Sequence, residues 1–140
     1  MTHMSIRFIH KSAALCAIFA SGLSTPLAFS APPPGYVDAS TFGFSATDAT
    51  TALQSAINTG QNVFVPNMGS DWIVTPITLT HDNQEILFES GVVVSAKSGA
   101  FLGDEILFSA PDRQNVKMIG YGATLKMRKS DYTARFAFWP

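Results

Sequence analysis

The chain has 140 residues, 46% of them hydrophobic, a formal charge of −1 and a single cysteine. Nine basic residues against ten acidic ones argue against an electrostatically driven nucleic-acid binder, and one cysteine excludes a disulfide framework. The length suffices for one domain with its own core.

Residues 1–30 carry the pattern of a secretory signal. Arg7 and Lys11 stand without any acidic residue, SAALCAIFASGL (12–23) is apolar, and STPLAFS closes with small residues at Ala28 and Ser30. An apolar run of about twelve residues is too short for a membrane span, which needs about twenty. Cleavage is expected after Ser30, removing Cys16 and sending the protein to the periplasm or the exterior. The remaining residues 31–140 have no cysteine and a formal charge of −3, so burial and hydrogen bonding must hold the fold.

Residues 31–40, APPPGYVDAS, read as a proline-rich tether, because Pro32 to Pro34 favour extended polyproline geometry. The domain proper is expected over 41–140. It starts with a helix over about 49–59: Thr47 or Asp48 offers a capping oxygen, and Ala49, Ala52, Leu53, Ala56 and Ile57 form one apolar stripe. Gly60 stands where a left-handed C-terminal cap belongs. A narrow, alanine-rich stripe predicts close packing against something flat.

From Val63 onward the pattern changes to short strands separated by Gly, Pro, Asn or Asp. They are NVFVP, DWIVT, ITLT, EILFE, GVVVSAK, EILFSA, NVKMIG and ATLKM. Two segments, NQEILFESGVVVSAK (83–97) and QNVKMIGYGATLKMR (114–128), superpose end to end, with Asn83 matched to Gln114 and Gly91 to Gly122. Strand, short bend and strand, repeated, is how a β-solenoid turns its corners; two hairpins of a sandwich have the same spacing. The fold class is all-β behind one helix.

Several of these segments together resemble the right-handed parallel β-helix proteins of the pectate lyase and rhamnogalacturonase (epimerase-like) superfamily. The matching residues are FGF (42–44), TDATTALQSAI (47–57), NVFVP (62–66), GSDWIV (69–74), with Trp72 where the family has tyrosine, and NVKMIGYGATL (115–125). Ala49 stands where a second aspartate is common, and the usual glycine-rich linker before Thr47 is shortened to FSA. The resemblance implies a single-stranded right-handed parallel β-helix whose helix caps its first coil, and an activity on acidic polysaccharide as lyase or hydrolase. It also implies that the catalytic coils lie further along than the stretch matched here.

Eliminative cleavage of a polyuronate needs a cation to neutralise the sugar carboxylate and a base to take the neighbouring proton; hydrolysis needs two carboxylates flanking the bond. The ten acidic residues are scattered, and His81 is the only histidine after the signal, in a turn-like THDNQ. No metal-ligand spacing, nucleophile elbow or phosphate loop occurs, so no metal or cofactor is expected in this segment; calcium enters only through the resemblance to lyases. The basic residues concentrate in LKMRKSDYTAR (125–135). The plain reading is a solvated outer face. The sharper one is a substrate-binding stretch in which Lys126, Arg128 and Arg135 bind sugar carboxylates and Tyr132 stacks on a sugar ring.

RFAFWP crowds Phe136, Phe138 and Trp139 together at 135–140. With the resemblance, this gives the expectation of an amino-terminal portion of a longer β-helix, inactive alone and prone to self-association through an open end. No nucleic acid or membrane is expected as a partner after signal cleavage. The alternative is a noncatalytic glycan-binding or tailspike-like module.

Overall fold

The computed structural model describes residues 30–132, with side chains through residue 131. The signal-peptide expectation, apart from Ser30, falls outside these residues, as do Arg135 and the aromatic cluster.

The described chain is mostly short strands in parallel sheets. Nine strands follow in order: β1 (Tyr36–Asp38), β2 (Asn62–Val65), β3 (Trp72–Val74), β4 (Ile77–Thr78), β5 (Glu85–Phe88), β6 (Val93–Ala96), β7 (Phe108–Ser109), β8 (Lys117–Ile119) and β9 (Thr124–Lys126). They form a four-stranded sheet β1-β2-β5-β8, a three-stranded sheet β3-β6-β9 and a two-stranded sheet β4-β7. Every pairing is parallel, and from β2 onward the chain visits the three sheets in rotation. Each strand therefore lies beside its counterpart one row earlier. Parallel pairing requires a long crossover; from β2 onward the other two sheets supply it, and between β1 and β2 the residues 39–61, which include a helix over Thr50–Asn58, do.

Alternation decides what points inward. In β5, Ile86 and Phe88 are buried while Glu85 and Leu87 are less so, as expected for side chains with a period of two. In-register neighbours then stack as columns: Val63, Ile86 and Met118 in one sheet, Trp72, Val94 and Leu125 in the next. Trp72 is fully buried against Phe44, and its indole N–H donates to the Pro66 carbonyl at 3.0 Å.

The helix α1 (Thr50–Asn58) begins one residue later than its apolar stripe, with Ala49 at the N-cap rather than Thr47 or Asp48; Asp48, one residue before the cap, accepts from the Thr50 N–H at 3.0 Å. It buries Ala52, Leu53, Ala56 and Ile57 against β2, β3 and β4. Gly60 follows with φ +75°, and a Cβ there would meet the His81 ring at 3.0 Å, so the turn admits only glycine without rearrangement.

Three features differ from the sequence expectations. The segment read as a tether contains β1, because Tyr36 and Val37 are good strand formers and pair with Asn62 and Val63. FGF, which the resemblance sets against a short opening strand, is not strand: a 3-10 turn over Ala39–Phe42, with Asp38 as its N-cap, runs into it, and Phe44 packs against the core. The repeat keeps its sequence interval in the three-stranded sheet (Val93↔Thr124) but is one residue longer in the four-stranded one (Glu85↔Lys117). The excess residue lies at the corner, where Glu89 and Ser90 between Phe88 and Gly91 correspond to Tyr121 alone between Gly120 and Gly122. At that corner the Gly91 N–H donates to the Gly122 carbonyl at 3.1 Å, and both glycines have φ +80°.

A second corner is held by an asparagine pair. Asn83 and Asn115 both take left-handed backbone, φ 57° and 54°, which asparagine tolerates. Their side chains bond to each other at 2.9 Å, row to row.

Candidate functional site

The outer face of the three-stranded sheet gathers the polar groups closest to a site. Asp71 precedes β3, Ser95 lies in β6 and Lys126 in β9, so the three belong to successive rows. The Ser95 hydroxyl donates to Asp71 Oδ2 at 2.6 Å, and Lys126 Nζ stands 3.6 Å from the same oxygen. One carboxylate thus ties three rows together.

Beside it, Lys97 follows β6 and forms an ion pair with Asp48 at the head of α1. The Lys97 hydrogen bond, followed by those from Thr50, holds the Asp48 carboxyl down to about 2. Arg128 occupies the Lys97 position one row later, and its Nε lies 3.4 Å from Asp131 Oδ1. Asp131 sits in a short helix, α2 (Lys129–Tyr132), where its other oxygen accepts from the Gly99 N–H at 3.1 Å.

The structure therefore brings Lys126 and Arg128 to the same side, each facing a carboxylate. Tyr132 is described in its backbone only, and Arg135 lies outside the described residues. Sequence reasoning passed over Lys97, Asp48 and Asp71 as partners of this group. The signal was present: the repeat alignment of 83–97 on 114–128 places Lys97 directly on Arg128.

Other carboxylates are engaged structurally. Glu85 accepts from the Tyr36 hydroxyl, which raises the Tyr36 pKa, Glu89 accepts from the Asn67 N–H at 2.7 Å, and Asp82 from the Gln114 N–H at 3.0 Å. Asp104 and Glu105 lie in the loop between β6 and β7, not on a strand. A small polar hollow of about 200 Å³, lined by Asn67, Gly69, Ser70, Asp71, Gly91 and Val93, opens beside Asp71. Among the described residues no group of three or more His, Cys, Asp or Glu is placed to hold a metal ion. Also among them, no helix is long and apolar enough to cross a membrane.

Chemically, the face offers three cations, and the Lys97–Asp48 and Lys126–Asp71 pairs are exposed on both sides. Such pairs contribute roughly 0–1 kcal/mol each, so an incoming carboxylate can replace Asp48 or Asp71 at little cost; Asp131, 8% exposed and bound to the Gly99 N–H, stays with Arg128. Comparisons with protein-family models, with curated proteins and with solved structures return no match.

Proposed function

We propose that the chain forms the first rows of a secreted right-handed parallel β-helix protein acting on acidic polysaccharide, with Lys97, Lys126 and Arg128 as an anion-binding strip. The observation that carries this reading is the in-register parallel stacking of rows behind one helix, together with cations repeated at one position of the row. A polyuronate repeats its carboxylates along its length, and a ladder of exposed cations on stacked rows is a matching arrangement. Cleavage, as lyase or hydrolase, is assigned to rows beyond those described.

The test is electrophoresis of the secreted chain through a gel containing polygalacturonate, beside measurements of unsaturated products and new reducing ends. Retardation that weakens when Lys97→Ala, Lys126→Ala and Arg128→Ala are combined supports the strip. Mobility indifferent to the polyuronate sinks it. Retardation with neither product favours the second reading, a noncatalytic glycan-binding module, which gains support from the structural engagement of Asp48, Asp71, Asp82, Glu85, Glu89 and Asp131.

A further inference from the structure

The corner between the four-stranded and three-stranded sheets holds the polar hollow beside Asp71, and the cation strip does not account for it. Its walls come from two successive rows: Asn67, Gly69, Ser70 and Asp71 from one, Gly91 and Val93 from the next. Gly69 and Gly91 take left-handed backbone, so bare main chain forms part of the surface. Its volume of about 200 Å³ falls below the roughly 300–1,000 Å³ of pockets for drug-sized ligands, and suits the edge of one small ring.

The polar groups around the hollow are unspent. The Ser95 hydroxyl and the Lys126 ammonium both approach Asp71 on Oδ2, which leaves Oδ1 for an incoming donor. Ser70 is exposed, and its hydroxyl has no partner among the described residues. Tyr121 is 86% exposed and, among the described residues, has neither a ring contact nor a hydroxyl partner. The carbonyl of its neighbour Gly122 accepts from the Gly91 N–H at 3.1 Å, so Tyr121 stands one row above the wall of the hollow.

We propose that this corner is a subsite for the hydroxyls of one sugar ring, with Asp71 Oδ1 accepting from one hydroxyl, Ser70 bonding its neighbour and Tyr121 covering the apolar face of the ring. The ligand class rests on the glycan reading of the strip. A sugar hydroxyl is donor and acceptor at once, so a vicinal pair is matched by a carboxylate oxygen beside a second hydroxyl. Asp71 and Ser70, consecutive in the chain, supply both. Bonds to an ionised acceptor are the stronger kind, and a tyrosine ring offers apolar area with little rotamer entropy to lose. Within the strip alone, Asp71 is only a counter-ion to be displaced from Lys126. Its bond from Ser95 at 2.6 Å keeps it in place while a sugar carboxylate takes the lysine.

The experiment is a nuclear magnetic resonance titration of the isotope-labelled secreted chain with methyl β-galactopyranoside. This neutral probe carries ring hydroxyls and no carboxylate, so it is blind to the charge of the strip. Saturable shifts of the Ser70, Gly91 and Gly122 amides are expected. The dissociation constant should rise about tenfold in Asp71→Ala and about threefold in Tyr121→Ala. The exposure of Tyr121 lets its variant keep the fold, so the test survives if Asp71→Ala loosens the rows. Absence of saturable shifts at these amides, or a constant indifferent to both substitutions, overturns the subsite; if polygalacturonate still retards the chain, the strip stands without it. A galactoside bound here in a chain that polygalacturonate does not retard supports the subsite and removes the strip.

Discussion

The two ends of the stack share one column of apolar side chains and differ in how they finish. At the β1 end, α1 lies over β3 and β4 and replaces the row that would precede them. The Ala49 N–H donates to the Ile73 carbonyl at 2.7 Å, and Thr50 Oγ1 accepts from the Thr75 N–H at 2.9 Å. The Gln54 side-chain amide both accepts from the Thr78 N–H at 3.0 Å and donates to its carbonyl at 2.8 Å. A carboxamide is a peptide group on a tether, so Gln54 acts as a missing strand. At the β8–β9 end no described residue pairs with the outer edges, and Met118, Leu125 and Met127 are half-exposed. Burial in this fold therefore belongs to the row above, not to the residue.

The largest effect is expected from Leu53→Asp, which places a charge under the helix at a fully buried position. A loss of about 4 kcal/mol or more should follow, with aggregation of the exposed row, read by a circular dichroism melt. Next comes a matched pair in one column. Ile86→Ala is expected to cost about 2–5 kcal/mol, whereas Met118→Ala, one row later, costs under about 1 kcal/mol because its side chain is already partly in water. Equal losses in urea titration would mean that the far end is as well covered as the middle.

Gln54→Leu keeps the volume near the original but leaves both backbone groups of Thr78 unpaired at the edge. About 1–3 kcal/mol should be lost, with faster amide exchange at Thr78 as the local readout. The smallest effect is Asp48→Asn. Asp48 is depressed to about 2 in the folded chain from an ordinary 3.8, so its contribution is present above about 4 and lost as the pH falls towards 2. Both partners are about 40% exposed, and solvent screening keeps the ion-pair part below about 1 kcal/mol. Melting temperatures of the wild type and Asp48→Asn should differ at neutral pH and converge near pH 2.

Strand existence was legible because it is local. Alternation in EILF and VVSA, and glycine or asparagine at the corners, announce strands wherever their partners lie. The helix was legible for the same reason, through Asp48, the alanine stripe and Gly60. Pairing was only partly legible. Two copies of a repeat suggested stacking but could not separate it from hairpins, since parallel order is a non-local property. β1 was missed because three prolines dominate the window 31–40, whose later positions Tyr36 to Asp38 carry the strand. At the candidate site, Lys126 and Arg128 were found by charge alone. Asp131 stands three residues after Arg128 in the same stretch, but Asp71, the partner of Lys126, became identifiable only once rows were set side by side, because it lies two rows earlier in the chain.

The connection from Ala96, the end of β6, to Phe108, the start of β7, is far longer than its counterpart one row earlier, from Val74 to Ile77. The excess is confined to one corner, where Phe101 is fully buried and Leu102 next to it is 62% exposed. The strands on either side keep their pairing. Loop closure grows only slowly in cost with length, about 0.6 kcal/mol per doubling. That corner is therefore a graft point. A foreign peptide spliced after Leu102, with Phe101 kept as its anchor, would be displayed at a fixed height on the stack without disturbing the rows beneath it.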